Sequence, residues 1–211
     1  MRRLPVYLVL DVSGSMHGEP IESVRNGMQI LASTLRSDPY ALETAFVSVI
    51  TFDSTATQVL PLTELIAFQP PMIEAGSATA LGAALSLVGE CIDREVEKTT
   101  PESKGDWKPL VFIMTDGMPT DDWRKGLADF ASAKTGLVIA CAAGPQADTD
   151  VLKSITDTVV ALDTADSSTI GAFFKWVSAS ISTSSKKVDV SKSDSTQIIE
   201  LPPPPPEIKL V

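Results

Sequence analysis

Two apolar runs without polar interruption set the strongest constraint on how this chain can fold. They are LPVYLVL at residues 4–10 and PLVFIMT at residues 109–115. A strand with one solvated face alternates apolar and polar residues, so continuous runs of this length indicate strands that are covered on both faces. Strands of this kind occur in parallel sheets with helices packed on either side.

Segments with helical periodicity lie between the candidate strands. Apolar residues recur three and four positions apart after Pro20, and again in residues 76–96 and after Ile170. Pro20 fits the first turn of a helix, where its missing N–H would have no partner anyway. A further helix follows Thr120 or Asp121, either of which can cap it.

The remaining strand candidates complete an alternating order of strands and helices. They are residues 45–52, 56–62, 137–143 and 158–162. Pro61 places the second of these at a sheet edge. We therefore predict an α/β, Rossmann-like fold: a doubly wound, mainly parallel six-stranded sheet, with one antiparallel edge strand and helices on both faces. Among the orders that such sheets take, we adopt 3-2-1-4-5-6.

The composition changes near residue 186. Residues 186–211 are rich in Ser and Pro and include five consecutive prolines at 202–206, which adopt an extended polyproline helix. We predict one domain over residues 1–185 and an extended or disordered tail over residues 186–211 that lies outside the core. The proline run is either a spacer or a ligand for an aromatic-lined groove on a partner, and the serines are candidate phosphoacceptors.

Charge and cysteine content limit the function classes. The 17 basic and 27 acidic residues give a net charge of −10, which disfavours nucleic acid and anionic membranes as partners. The apolar run after Arg2 and Arg3 is too short for a secretory signal, so we expect none. Cys91 and Cys141 lie in apolar segments and are expected to be buried free thiols. These features together predict a cytoplasmic protein.

Oxygen-bearing side chains follow the predicted strands at one edge of the sheet. Asp11, Ser13 and Ser15 come after the first strand, Asp116 comes after PLVFIMT, and Thr79 precedes a helix. Ligands of open α/β sheets bind at the carboxyl ends of the strands, and the predicted strand order brings Asp11 and Asp116 together there.

An all-oxygen set of this kind suits a hard cation. Two carboxylates and three hydroxyls favour Mg²⁺, with Mn²⁺ or Ca²⁺ as alternatives. Two carboxylates only neutralise a divalent ion, so a carboxylate from a protein partner is a favoured further ligand. We therefore hypothesise that these residues form a metal-dependent adhesion surface. We expect no catalytic residues.

Four residues beside this set are candidates for a binding rim. Met16 and Met118 either form an apolar rim or pack in the core. His17 is expected to be a solvated loop residue next to the site. Asp121 is either a carboxylate at a helix N-terminus or part of the rim.

The dispersed pattern resembles the metal-ion-dependent adhesion site (MIDAS) of von Willebrand factor type A (VWA) domains. DVSGS at 11–15, Thr79 in GSATALGAAL and TDG at 115–117 match that motif, and the resemblance covers about residues 4–182. It implies that the two serines and the threonine approach the metal directly, and that the aspartates do so directly or through water.

Several segments resemble, in amino-acid sequence, the TerY subfamily of proteins from bacterial tellurium-resistance clusters. These segments are LPVYLVLDVSGSM, GEPIESVRNGM, DPYALETAFVSVITF and WKPLVFIMTDGMPTDDW. The resemblance implies a role in a stress-response system together with a protein kinase and a PP2C-type phosphatase.

Two alternatives to this hypothesis stay open. A haloacid dehalogenase-like phosphatase, or another Mg²⁺-dependent hydrolase, also places an aspartate after the first strand. That phosphatase needs a second aspartate two residues later, where this chain has Ser13. The other alternative is a metal-free scaffold that binds its partners through other faces.

Overall fold

A seven-stranded sheet forms the centre of the computed structural model, which describes residues 2–190 and 201–211. Its order is β3-β2-β1-β4-β5-β6-β7, and only β3 and β7 run antiparallel to their neighbours. The strands are β1 (Leu4–Asp11), β2 (Ala45–Phe52), β3 (Ala56–Glu64), β4 (Leu110–Thr115), β5 (Leu137–Ala143), β6 (Val159–Leu162) and β7 (Lys209–Leu210).

The predicted order 3-2-1-4-5-6 is confirmed for the first six strands, including the antiparallel edge strand β3. The prediction of six strands is wrong by one. The additional strand, β7, pairs with β6 through only two residues, which is too short to produce a periodic sequence pattern.

Helices cover both faces of the sheet, as the continuous apolar strands predicted. They are α1 (Glu19–Arg36), α2 (Pro39–Thr44), α3 (Leu81–Glu95), α4 (Trp123–Phe130), α5 (Thr149–Ile155) and α6 (Ser167–Val190). Helices α1, α2 and α6 pack in one apolar core, and α3, α4 and α5 pack in the other.

Strand β1 contributes to both cores because successive side chains point to opposite faces. Leu8 and Leu10 belong to the core beneath α1 and α6, whereas Tyr7 and Val9 belong to the core beneath α3. All eight residues of β1 are buried. This two-sided burial explains why the run is apolar without interruption.

Part of the predicted tail belongs to the fold. Helix α6 continues to Val190, past the predicted boundary at residue 185, and residues 191–200 lie outside the described residues. Ile208 is buried in the core beneath α1 and α6, and Leu201 packs against that core. The expectation that all of residues 186–211 lie outside the core is therefore wrong, because an apolar residue beyond the prolines reaches it.

Two local predictions also need correction. Helix α4 is capped by Asp122, whose side chain accepts a hydrogen bond from the Lys125 backbone N–H, and not by Thr120 or Asp121. Helix α2 was not predicted, although Asp38 caps it and Pro39 follows at its first position. Within the described ranges, no helix has both the length and the apolar character needed to cross a membrane.

Candidate metal centre

The carboxyl ends of β1 and β4 bring the two predicted aspartates to the same edge of the sheet. The strands are parallel neighbours, with Leu10 opposite Met114. Asp11 is the last residue of β1, and Asp116 follows the last residue of β4. Both side chains are buried, so their carboxylates depend on neighbouring polar groups for hydrogen bonds.

Asp11 is held by two hydrogen bonds from its own edge of the sheet. Its Oδ1 accepts from the Ser13 backbone N–H at 2.7 Å, and its Oδ2 accepts from the Thr115 hydroxyl at 2.5 Å. Burial raises the pKa of this carboxyl, the bonds from Ser13 and Thr115 oppose that rise, and the charge of Asp116 adds to it. The sequence pattern does not single out Thr115, because its hydroxyl reaches Asp11 only when β4 lies beside β1.

A chain of three oxygens joins the turn after β1 to Asp116. The hydroxyls of Ser13 and Ser15 lie 3.1 Å apart, and the Ser15 hydroxyl donates to Asp116 Oδ1 at 2.8 Å. Adjacent ligands of an octahedral Mg²⁺ ion, with Mg–O distances of 2.0–2.1 Å, lie about 3.0 Å apart. The spacing of these oxygens therefore matches the edge of such an octahedron.

Backbone hydrogen bonds position Thr79 beside the turn that follows β4. The Thr120 N–H donates to the Thr79 carbonyl at 2.9 Å, and the Thr79 N–H donates to the Thr120 hydroxyl at 3.1 Å. A methyl group built on Gly117 would lie 3.5 Å from Thr79 Oγ1, so this hydroxyl is close to the TDG turn. The Gly14 N–H donates to the Ser77 carbonyl at 2.9 Å and ties the same loop to the turn after β1. All of the segments that carry the predicted ligands thus meet.

The candidate rim residues divide into exposed and buried side chains. His17 is exposed, and Met118 is 64% exposed beside Asp116, so both are available to a partner. Met16 is completely buried in the core beneath α1 and α6. Of its two predicted roles, core packing is therefore the one that the structure shows and the rim role is not, because Met16 ends a short 3-10 helix, Gly14–Met16, with its side chain inward.

Asp121 is a carboxylate at a helix N-terminus, which is one of its two predicted roles, but the helix is α3 and not the one that follows it in the chain. Its Oδ1 accepts from the Gly82 N–H at 3.0 Å, and its Oδ2 accepts from the Ala83 N–H at 2.8 Å. Both N–H groups lie in the first turn of α3, where backbone donors have no partner within the helix. Asp121 therefore caps that helix from a distant part of the chain. With both oxygens engaged, it is not a free carboxylate on the rim.

The donor set fits a hard divalent cation. Burial raises the pKa of Asp116 as it does for Asp11, although the bond from Ser15 opposes the rise. A cation would offset the cost of two buried carboxylates at one edge. Among the described residues, no three His, Cys, Asp or Glu side chains come together to hold a metal, so coordination here depends on hydroxyl oxygens.

The fold and the arrangement at its edge define the class of protein. Residues 6–176 match the sequence profile of the von Willebrand factor type A domain, and the chain belongs to that family. A comparison with curated protein sequences finds no significant match.

Solved structures share the fold at low sequence identity. The pilus adhesin SpaC of Lactobacillus rhamnosus GG superposes with a TM-score of 0.68 and 14% identity, covering 87% of this chain and 31% of that chain. Proximal thread matrix protein 1 from the mussel byssus, with a zinc-occupied MIDAS motif, gives a TM-score of 0.61 and 17% identity over 84% of this chain and 48% of that chain. The ArnB paralog VWA2 from Sulfolobus acidocaldarius superposes with a TM-score of 0.60 and 16% identity, covering 83% of this chain and 45% of that chain. This chain spans less than half the length of each of these three.

Proposed function

We propose that this chain is a non-enzymatic, metal-dependent protein-binding module. Asp11, Ser13, Ser15, Thr79 and Asp116 would hold a Mg²⁺ ion, with Mn²⁺ or Ca²⁺ as alternatives. VWA domains commonly mediate metal-dependent interactions between proteins, and one protein of similar fold has a zinc-occupied MIDAS motif. The observation that carries the proposal is the run of oxygens from Ser13 through Ser15 to Asp116, whose spacing matches that of neighbouring magnesium ligands.

The partner group that best suits this site is a carboxylate. Two aspartates balance the charge of a divalent ion but leave no excess negative charge to repel an acidic ligand. Ser15 is exposed, whereas Asp11 and Ser13 are buried, so the site opens to solvent at Ser15. Met118 and His17 are exposed and lie within two residues of Asp116 and Ser15 in the chain, so they would contact the incoming segment.

The biological setting of the proposal comes from the sequence resemblance. Similarity to the TerY subfamily supports a role in a bacterial tellurite or stress-resistance system with a protein kinase and a PP2C-type phosphatase. The net charge of −10 supports protein partners over nucleic acid or anionic membranes. The free thiols of Cys91 and Cys141 support a cytoplasmic location.

Isothermal titration with MgCl₂ or MnCl₂ tests the metal site. We expect one ion per chain and loss of binding in Asp116→Ala and Asp11→Ala. Asp122→Ala is the matched control, because it removes an exposed carboxylate of the same loop that only caps α4. Equal binding by the native chain and Asp116→Ala, or no binding by the native chain, contradicts the proposal.

Affinity purification with and without EDTA separates a metal-dependent module from a metal-free scaffold. We expect partners that are retained by the native chain in MgCl₂ but lost in EDTA, and lost also in Asp116→Ala. Retention in all three conditions would support the metal-free scaffold.

An aryl phosphate assay tests the enzymatic alternative. A haloacid dehalogenase-like mechanism needs a second carboxylate at position 13, where the Ser13 hydroxyl instead lies 3.1 Å from the Ser15 hydroxyl. We expect no turnover. Turnover that disappears in Asp11→Asn would replace our proposal with a phosphatase.

A further inference from the structure

Residues 201–211, which we call the strap, lie along the domain, and their first six residues show a burial period of three. Pro203 and Pro206 are exposed, whereas the residues between them, and the two that precede Pro203, are half-buried. A polyproline helix has three residues per turn, so this period places one edge of the helix in solvent and the others against the domain.

Trp176 of α6 contacts this proline helix through a hydrogen bond. Its indole Nε1–H donates to the Pro202 carbonyl at 2.8 Å, and its side chain is almost fully buried. The ring lies 6.4 Å from that of Phe173. Polyproline carbonyls have no partners within their own helix, so an aromatic residue with an N–H donor is well suited to bind them.

The second half of the strap adds a strand to the sheet. Ile208 is buried in the core, and Lys209–Leu210 pair antiparallel with β6. The Val211 N–H donates to the Val159 carbonyl at 3.1 Å, and Lys209 forms an ion pair with Asp163 at 2.7 Å. Addition of a strand to an exposed sheet edge is a common way for proteins to bind extended peptides.

We infer that α6 and the edge of β6 form a binding site for a proline-rich peptide that continues as a short strand, and that the strap fills this site in cis. The expected ligand in trans is a partner-protein segment of the same chemistry. The site is distinct from the proposed metal centre, and none of the residues that form it belongs to the metal-binding set.

The contacts of the strap make such an exchange feasible. Ile208 is the one strap side chain that is fully buried, and the ion pair of Lys209 is exposed to solvent. Consecutive prolines are already ordered, so a free peptide loses little conformational entropy on docking. The strap belongs to the same chain as the site that it fills, so its docking is intramolecular. A peptide in trans must therefore compete with it.

Fluorescence anisotropy with a labelled LPPPPPEIKLV peptide tests the site in the full-length chain, in EDTA so that the metal centre plays no part. In Ile208→Asp the charged side chain is disfavoured in the core, so the strap should dissociate. We expect this variant to bind the peptide at least about tenfold more tightly than the native chain does. A peptide with Gly and Ser in place of the prolines is the control and should bind far more weakly.

A second substitution assigns the binding to Trp176. Trp176→Phe in the Ile208→Asp background keeps the aromatic ring but removes the N–H donor, and should weaken binding about two- to tenfold. Equal binding with and without the indole N–H contradicts the inference. So does an Ile208→Asp chain that keeps its native circular dichroism and binds no more tightly than the native chain.

Val211→Pro keeps the test decisive if Ile208→Asp fails to fold. Proline removes the N–H that bonds to Val159 at the exposed end of the strap and leaves Ile208 in place. We expect this variant to bind the peptide more tightly than the native chain. Unchanged affinity, in a folded variant, overturns the inference.

Discussion

Replacing Asp121 with alanine should destabilise the domain by about 2 kcal/mol. The carboxylate accepts hydrogen bonds from two backbone N–H groups at the start of α3, those of Gly82 and Ala83. Loss of an N-terminal cap costs about 0.5–2 kcal/mol, and loss of the negative charge at the helix N-terminus costs a further 0.3–1 kcal/mol or so. Gly82 is buried, so its N–H would have poor access to water, which places the cost in the upper part of this range.

Thermal and urea unfolding followed by circular dichroism measure this cost. For a chain of this size, about 2 kcal/mol corresponds to a decrease in Tm of roughly 4–8 °C. Asp122→Ala is the matched control, because its side chain is exposed and accepts one bond, at 3.4 Å, in the same loop. We expect it to cost under about 1 kcal/mol. An Asp121→Ala chain no less stable than Asp122→Ala would refute the assignment of Asp121 as the cap of α3.

Three further predictions follow from packing and burial. Gly126→Ala should cost about 1–3 kcal/mol in urea unfolding, because its Cβ would lie 2.0 Å from a backbone oxygen of α3; Gly171→Ala, with open space around it, should be neutral or stabilising. Burial raises the pKa of the Cys91 and Cys141 thiols, so neither should react with Ellman's reagent at pH 8 until the chain is unfolded. Burial beside the Glu95 carboxylate raises the pKa of the Tyr7 hydroxyl above its ordinary value of 10.0. As pH rises, the unfolded chain therefore loses the hydroxyl proton before the folded chain does, and the free energy of unfolding should fall above pH 10. This fall should be smaller in Tyr7→Phe.

The sequence predicted a doubly wound, mainly parallel sheet, and the adopted order 3-2-1-4-5-6 is confirmed for the first six strands. Continuous apolar runs indicate strands buried on both faces, and helices between them require parallel crossovers, which leaves few sheet orders. The metal-site prediction rests on the same logic. Asp11 and Asp116 directly follow two such runs, so placing the strands side by side also places the aspartates together.

Long-range contacts could not be predicted in this way. Thr115 of β4 donates to Asp11 of the neighbouring strand β1, and Asp121 caps a helix that begins 40 residues earlier in the chain. Neither contact leaves a periodic signal, because each depends on where two distant segments meet. The burial of Met16 could not be predicted from the sequence either, because it depends on the single turn of 3-10 helix that Met16 ends.

The amino-acid sequence by itself determined the α/β class, the strands buried on both faces and the strand ends where oxygens collect, because burial pattern and strand ends are local properties. Only the tertiary structure decided that the strap docks on Trp176 and β6. Five prolines specify an extended conformation but not a surface to bind. That surface exists only once α6 and the edge of the sheet have come together.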